Sequence, residues 1–244
     1  MCILADQISL LQHSLHQPVV TPVPGLKAFV GVVSSHPERR LIWRDGWNCG
    51  GALKSHGIIY KFFVGWPVSA QRDLQTTKHP AKPSMEEIRR SQALIQENET
   101  FGDLHFMPMP DTYVSLESKT LNVLQYGYAL GAEYVVKSDD DACVEPQALL
   151  NGTASHERDA SGALYGGQHR SRIWGGFVGP GYVLSRDLVD QIIHEDWPHT
   201  AMFAADGGTF DEDVAMMRWV NYAEEKHGLR VHRMPINGLL THWS

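Results

Sequence analysis

The sequence predicts an α/β protein with a mainly parallel central sheet and helices on both faces. Three observations predict it. Short apolar runs alternate with segments of helical period through the first half of the chain. Capping and turn residues punctuate the ends of those segments. One apolar run also passes directly into three aspartates, Asp139, Asp140 and Asp141, and open α/β sheets bind ligands outside the carboxyl ends of their strands.

Residues 1–25 read as a lead-in, extended from His16 to Gly25 by Pro18, Pro22 and Pro24. Residues 26–244 read as one domain, long enough for one continuous core. Leu26 to Val33 is the first strand, and Ser34 and Ser35 offer N-caps for a helix holding Pro37, Arg39, Arg40 and Arg44. Gly57 to Val64 is a second strand, followed by a polar loop with Pro67, Pro80 and Pro83. Ser84 and Glu87 have capping-box spacing, ahead of a helix whose Met85, Ile88 and Ile95 share a face. Leu104 to Met107 is a short strand, and Ser115 to Leu130 an amphipathic helix carrying Leu116, Val123, Leu124 and Leu130. Glu133 to Lys137 is the strand that feeds the aspartates. In the second half, Leu164 to Gly167 and Phe177 to Leu184 read as strands, the latter broken at Gly179, Pro180 and Gly181. Ser185 caps a helix with Leu188, Val189, Ile192 and Ile193, and a last helix runs from about Asp213 to His227 with Gly228 as its stop.

The formal net charge is −7, from 28 acidic and 21 basic residues, the opposite of what gripping a nucleic-acid backbone needs. The three cysteines, Cys2, Cys49 and Cys143, are too few for a disulfide scaffold or a zinc site; either one pair bridges or all three are separate thiols. No apolar run reaches the roughly 20 residues that span a bilayer, and Met1 to Val20 does not read as a signal peptide. The expectation is a soluble chain, or one whose anchor lies outside it. Two glycosylation sequons, starting at Asn98 and Asn151, point only faintly to a secretory setting.

The strand Tyr134 to Lys137 delivers three carboxylates to one end, where mutual repulsion favours a neutralising cation. Oxygen ligands suit manganese or magnesium, with diphosphate oxygens and water completing the shell. The plain alternative is a solvated acidic turn. A second acidic group, Asp211, Glu212 and Asp213, stands where a helix begins. Acids there complement the macrodipole, yet a general base must also be a carboxylate near the metal but not on it. Gly175, Gly176, Gly179 and Gly181 allow close backbone approach to a ligand, or simply a tight turn. Arg39, Arg40 and Arg44 are either a phosphate or nucleobase clamp or a solvated helix face. His232 and His242 lie late in the chain, and a neutral imidazole is a normal manganese partner.

In order, these pieces resemble the β-1,3-galactosyltransferase family (glycosyltransferase family 31), with its N-acetylglucosaminyl and fringe-type relatives. The matching stretches are Val30 to Ser35, Arg39 to Trp47, Phe62 to Gly65, Phe101 to Leu104 and Asp111 to Thr120. Lys137 to Asp141, Gly179 to Ser185 and Glu212 to Val214 complete the set, which covers most of the chain from Lys27 onward.

The resemblance implies a GT-A-type fold, a UDP-sugar donor, manganese, inversion at the anomeric carbon, and a Golgi enzyme facing the lumen. It implies that Asp213 is the catalytic base and that Asp141 and His242 are metal ligands. Donor contacts are expected from Asp139, Asp140, Arg39, Arg40, Arg44, Gly179 and Gly181. The acceptor would be a hydroxyl on a glycan or glycoprotein, and galactose the first choice of sugar. The sequence departs from the family in the short stretch from Tyr165 to Gly179, which holds Arg170, Arg172 and Trp174, in Ser138, and in Ala215-Met-Met217. The rival expectations are a two-metal phosphoryl or nucleotidyl transferase and a UDP-sugar-binding module without turnover.

Overall fold

The computed structural model describes residues 20–66, 84–111, 115–159, 162–170, 176–195 and 212–242. Cys2 and most of the lead-in, Pro67, Pro80 and Pro83, the stretch with Arg172, Trp174 and Gly175, and Asp211 lie outside them. So do the side chains of Arg170 and His242.

Seven strands form one sheet: β1 (Ala28–Val33), β2 (Ile59–Trp66), β3 (Leu104–Pro110), β4 (Tyr134–Asp139), β6 (Ala163–Arg170), β7 (Phe177–Ser185) and β8 (Val231–Pro235). Their spatial order is β3–β2–β1–β4–β7–β6–β8. β1–β2, β1–β4, β2–β3 and β6–β8 pair in parallel, whereas β7 runs antiparallel to β4 and β6. A separate antiparallel pair joins β5 (Ala142–Val144) to β9 (Leu240–His242). The predicted α/β class with a mainly parallel sheet is therefore observed.

β1 is buried at every position and does not alternate, as a strand covered on both faces must be. Alternate residues feed two cores. Phe29, Phe63, Val135, Tyr182 and Leu184 pack against α4 (Leu116–Ala129), α6 (Arg186–Ile193) and α7 (Glu212–His227). Val30, Val32, Phe62, Val136 and Val183 pack on the other side against Trp43, Leu53 and Leu149. Leu53 belongs to α2 (Cys49–Ser55) and Leu149 to α5 (Pro146–Asp159). Both faces carry helices, as predicted.

Several local expectations need correction. The helix after β1, α1 (Pro37–Leu41), has His36 rather than Ser34 or Ser35 at its N-cap position, without a side-chain capping bond. The Ser34 hydroxyl turns inward instead and donates to Asp140, whereas the exposed Ser35 hydroxyl donates to Asp111. α1 continues into a π-helical turn, Ile42–Gly46. The Ser84–Glu87 capping box of α3 (Met85–Phe101) forms as predicted, with both reciprocal hydrogen bonds present. Met85, however, is exposed; the inward face runs through Ile88, Ser91 and Ile95. β7 runs unbroken through Gly179, Pro180 and Gly181. Ser185 does occupy the N-cap of α6, but its hydroxyl donates to Asp187 and accepts from the Leu164 amide rather than capping the helix. Cys49 and Cys143 form a disulfide, so one open alternative is resolved, and α2 is tied covalently to β5.

Candidate active site

The chain lays β1, β2 and β3 down in one direction and then places β4 on the other side of β1. The order of the sheet reverses between β1 and β4, and ligands of open α/β sheets bind in the crevice at such a point. Val33 and Asp139 are register partners there, so Ser34 and the three aspartates emerge side by side. β4 supplies the acids because it ends at Asp139, and Asp140 and Asp141 form the turn into β5.

The three carboxylates have different surroundings. Asp139 Oδ1 lies 2.9 Å from the Lys137 ammonium, with 35% of the aspartate side chain exposed. Crowding by protein atoms, offset by Lys137, raises its carboxyl to about 6. Asp140 is buried and accepts from Ser34 Oγ at 2.6 Å and Arg39 Nη1 at 3.1 Å. Asp141 is 53% exposed, and its nearest cation, Arg39 Nη1, stands 3.8 Å away. Asp141 is thus the member of the triplet with oxygens open to a ligand.

The strand following the triplet is held from three directions. Trp43, presented by the π-helical turn, donates its indole N–H to the Ala142 carbonyl at 3.0 Å. Cys143 is bonded to Cys49, and Ala142 pairs with His242 in the β5–β9 register. That register brings the His242 backbone beside the residue after Asp141. Among the described residues, no group of three or more His, Cys, Asp or Glu side chains is placed to hold an ion. The donor set still fits magnesium or manganese, which is commonly held by one or two carboxylates together with substrate phosphates rather than by an all-protein cage.

The arginines divide. Arg39 is half exposed at the mouth of the site and touches Asp140. Arg40 and Arg44 are buried, against the expectation that they contact the donor. Arg40 makes two hydrogen bonds to Glu97, at 2.8 and 2.6 Å, and a third to Ser34 Oγ at 3.2 Å. Arg44 makes two to Asp103, at 2.9 and 2.6 Å, and one to Glu97 at 2.8 Å. A guanidinium buried this way needs its carboxylates to offset desolvation. These two arginines anchor α1 and the π-helical turn to α3, and Arg40 supports the serine that orients Asp140.

The second acidic group meets the first through Lys137. Its ammonium is buried and lies 2.9 Å from both Asp139 Oδ1 and Glu212 Oε2. Burial works against this charge, but Asp139 and Glu212 outweigh it and hold the lysine above its ordinary value. Glu212 also accepts from Thr120 Oγ1 at 3.2 Å and from the Tyr182 hydroxyl. Both its oxygens are engaged, so Glu212 is not the free base. Burial and then the Glu212 carboxylate push the Tyr182 phenol well above its usual value, which keeps it a donor.

Asp213 is the free one. Oδ2 accepts from the Gly179 amide at 3.0 Å, whereas Oδ1 is buried with no partner among the described residues. Burial, and next the charge of Glu212, raise its carboxyl to about 7. A carboxylate poised near neutrality with one bare oxygen suits general-base chemistry. Gly179 has φ +101°, a region that disfavours any side chain, and this conformation aims its N–H at Asp213. At Gly181, an added Cβ would meet the Lys137 carbonyl at 2.5 Å, so glycine permits the close approach of β7 to β4. Both glycines therefore build the site from behind, and the contacts seen for them are to protein rather than to the crevice. His232 lies in β8 with Nδ1 buried and without a partner among the described residues, its ring 6.2 Å from that of His156. Lys137 escaped the sequence reading of roles, although a lysine inside an apolar strand is itself a signal of buried ion pairing.

Residues 82–174 match the galactosyltransferase family. The β-1,3-galactosyltransferase GALT1 of Arabidopsis thaliana is 27% identical over 249 residues, covering 90% of this chain and 34% of that protein. The hydroxyproline O-galactosyltransferase GALT6 of the same plant is 28% identical over 216 residues, covering 79% of this chain and 28% of that protein. Among solved structures, a Drosophila β-1,4-galactosyltransferase 7 mutant in complex with manganese, UDP-Gal and xylobiose aligns with 90% of this chain and 71% of that one, at 15% identity and a TM-score of 0.44. The chain is thus similar to the galactosyltransferase family over residues 82–174 and, across most of its length, to these plant galactosyltransferases. It spans about a third of the length of these curated relatives.

Proposed function

We propose that this chain is a GT-A-type catalytic domain, residues 26–244, that transfers a hexose from a UDP-sugar to an acceptor hydroxyl with inversion. Galactose is the proposed sugar, a β-1,3 bond the proposed linkage, and a glycan or glycoprotein the proposed acceptor. The observation that carries the reading is Asp213, one of whose oxygens is buried with no partner among the described residues while the other is fixed by Gly179. In the reaction, Asp213 takes the proton from the acceptor hydroxyl as that oxygen bonds to the sugar C1. The C1–oxygen bond to UDP breaks, and its electron pair leaves with the diphosphate.

Asp141, with His242 beside it, would hold manganese or magnesium, which neutralises the diphosphate charge when bound. Arg39 stands where it adds a second cation to that side of the crevice, and Asp139 and Asp140 frame it. This arrangement favours sugar transfer over a two-metal site. Two ions need carboxylates bracketing both, but Asp140 is held by Ser34 and Arg39 and Asp139 by Lys137. The Cys49–Cys143 disulfide supports an oxidising compartment, and the lumen of the Golgi is the proposed setting.

Titration calorimetry with UDP, in manganese and again in excess chelator, tests the reading. Wild type binds UDP only with the ion, and Asp141→Asn keeps the fold but loses the manganese-dependent UDP affinity. Equal UDP affinity for the two proteins, or affinity unaffected by chelator, contradicts the metal assignment. Binding with no turnover of any UDP-sugar would mark a binding module instead.

A further inference from the structure

Lys137 is a buried charge that the reaction itself does not use. Its side chain is 1% exposed, and its two ion-pair partners come from different parts of the chain: Asp139 from the end of β4 and Glu212 from the start of α7. Strand alternation puts Lys137 and Asp139 on one face of the sheet. The next strand places Tyr182 in register with Lys137, and the Tyr182 hydroxyl reaches the same Glu212. Thr120 of α4 adds a third donor to that carboxylate. Glu212 is thereby fixed by three elements, and Asp213 is its immediate neighbour.

Resting on the transferase reading above, we infer that Lys137 is a positioning residue that joins the donor side of the site to its base, holding Asp139 and the Glu212–Asp213 helix start in one geometry. Removing the ammonium leaves two carboxylates close together without their shared cation, which moves them apart. Both halves of the site then lose registration. Removing the Glu212 charge releases only the base side. Because the two side chains act through one contact, their effects do not multiply.

Lys137→Met, Glu212→Gln, the double variant and Lys137→Arg separate this role from simple stabilisation. Each is measured for UDP affinity in manganese by calorimetry and for hydrolysis of UDP-galactose, beside its thermal melt. Glu212→Gln leaves UDP affinity within about twofold and lowers hydrolysis by about tenfold or more, part of the general-base contribution. Lys137→Met lowers both readouts by about tenfold or more, and the double variant is no worse than Lys137→Met. Lys137→Arg, which retains the charge, recovers affinity. Multiplicative losses in the double variant, or an unchanged Lys137→Met, overturn the coupling. If Lys137→Met does not fold, failure of Lys137→Arg to retain UDP affinity, or loss of affinity in Glu212→Gln, overturns it equally. A wild type that neither binds UDP nor hydrolyses UDP-galactose overturns the transferase reading instead, and the coupling with it.

Discussion

At the scale of single residues, five acids near the crevice have five different fates. Asp140 is held by Ser34 and Arg39, Glu212 by Lys137, Thr120 and Tyr182, Asp139 shares Lys137, Asp141 is exposed, and Asp213 is half-buried with one oxygen that has no partner among the described residues. Their types and spacing were legible in the sequence; their division of labour was not, because it depends on which cation each one meets across the fold. Arg40 and Arg44 show the same limit. On a helical wheel they are indistinguishable from Arg39, and only Glu97 and Asp103, more than fifty positions away, make them structural. The Asp213 carboxyl, raised from 3.8 to about 7, yields a pH prediction of two parts. A general base must be ionised, so turnover falls as pH drops through about 7. Stability runs the other way. A carboxyl whose folded pKa lies above its unfolded one binds protons more readily in the native state, so stability decreases as pH rises from about 4 to about 7. Asp213→Asn removes that loss. The variant melts a few degrees above wild type at pH 8, on the order of 2 kcal/mol for a partly exposed carboxyl, and the gap closes near pH 4. Melting curves of both proteins at these two pH values check the sign.

At the scale of elements, the strongly periodic or apolar segments were readable and the short, non-local ones were not. β1, β2, β4, α4 and α7 lie within a few residues of expectation because burial on a sheet face or a helical stripe is written in local sequence. β5 and β9 are three residues each, and they exist because they pair with one another from almost a hundred positions apart. Local pattern carries no trace of such a pairing. β7 looked broken because glycine and proline usually interrupt strands; here its glycines serve the Asp213 contact and the approach to β4. The β5–β9 pair matters for function because it continues directly from Asp141, and the disulfide pins it to α2 across a separation of 94 residues. Replacing both Cys49 and Cys143 by serine should cost about 2–5 kcal/mol of stability. It should also weaken manganese-dependent UDP binding at temperatures where the variant stays folded. Denaturant titration and calorimetry on the same protein check both; full UDP affinity in a destabilised variant would show that the clamp serves stability alone.

At the scale of the whole molecule, the sheet order turns a string of motifs into a site. Ser34 to Arg39, Asp139 to Asp141, Gly179 and Asp213 are scattered over some 180 positions, and the switch between β1 and β4, with β7 beside it, gathers them at one crevice. The order of the motifs was visible in the sequence and was enough to carry the resemblance to the β-1,3-galactosyltransferase family. The bridge between the two acidic groups was not, since it needs β4 and α7 in contact. The central claim is that this crevice transfers a sugar and that Asp213 is its base while the aspartate triplet binds the donor. Turnover of UDP-galactose on a competent acceptor, measured beside UDP affinity for wild type and Asp213→Asn in manganese, tests it most directly. The account predicts that turnover falls by about 10²–10⁴-fold while UDP affinity is unchanged. Turnover that survives the substitution, or UDP affinity that collapses along with it, would contradict it.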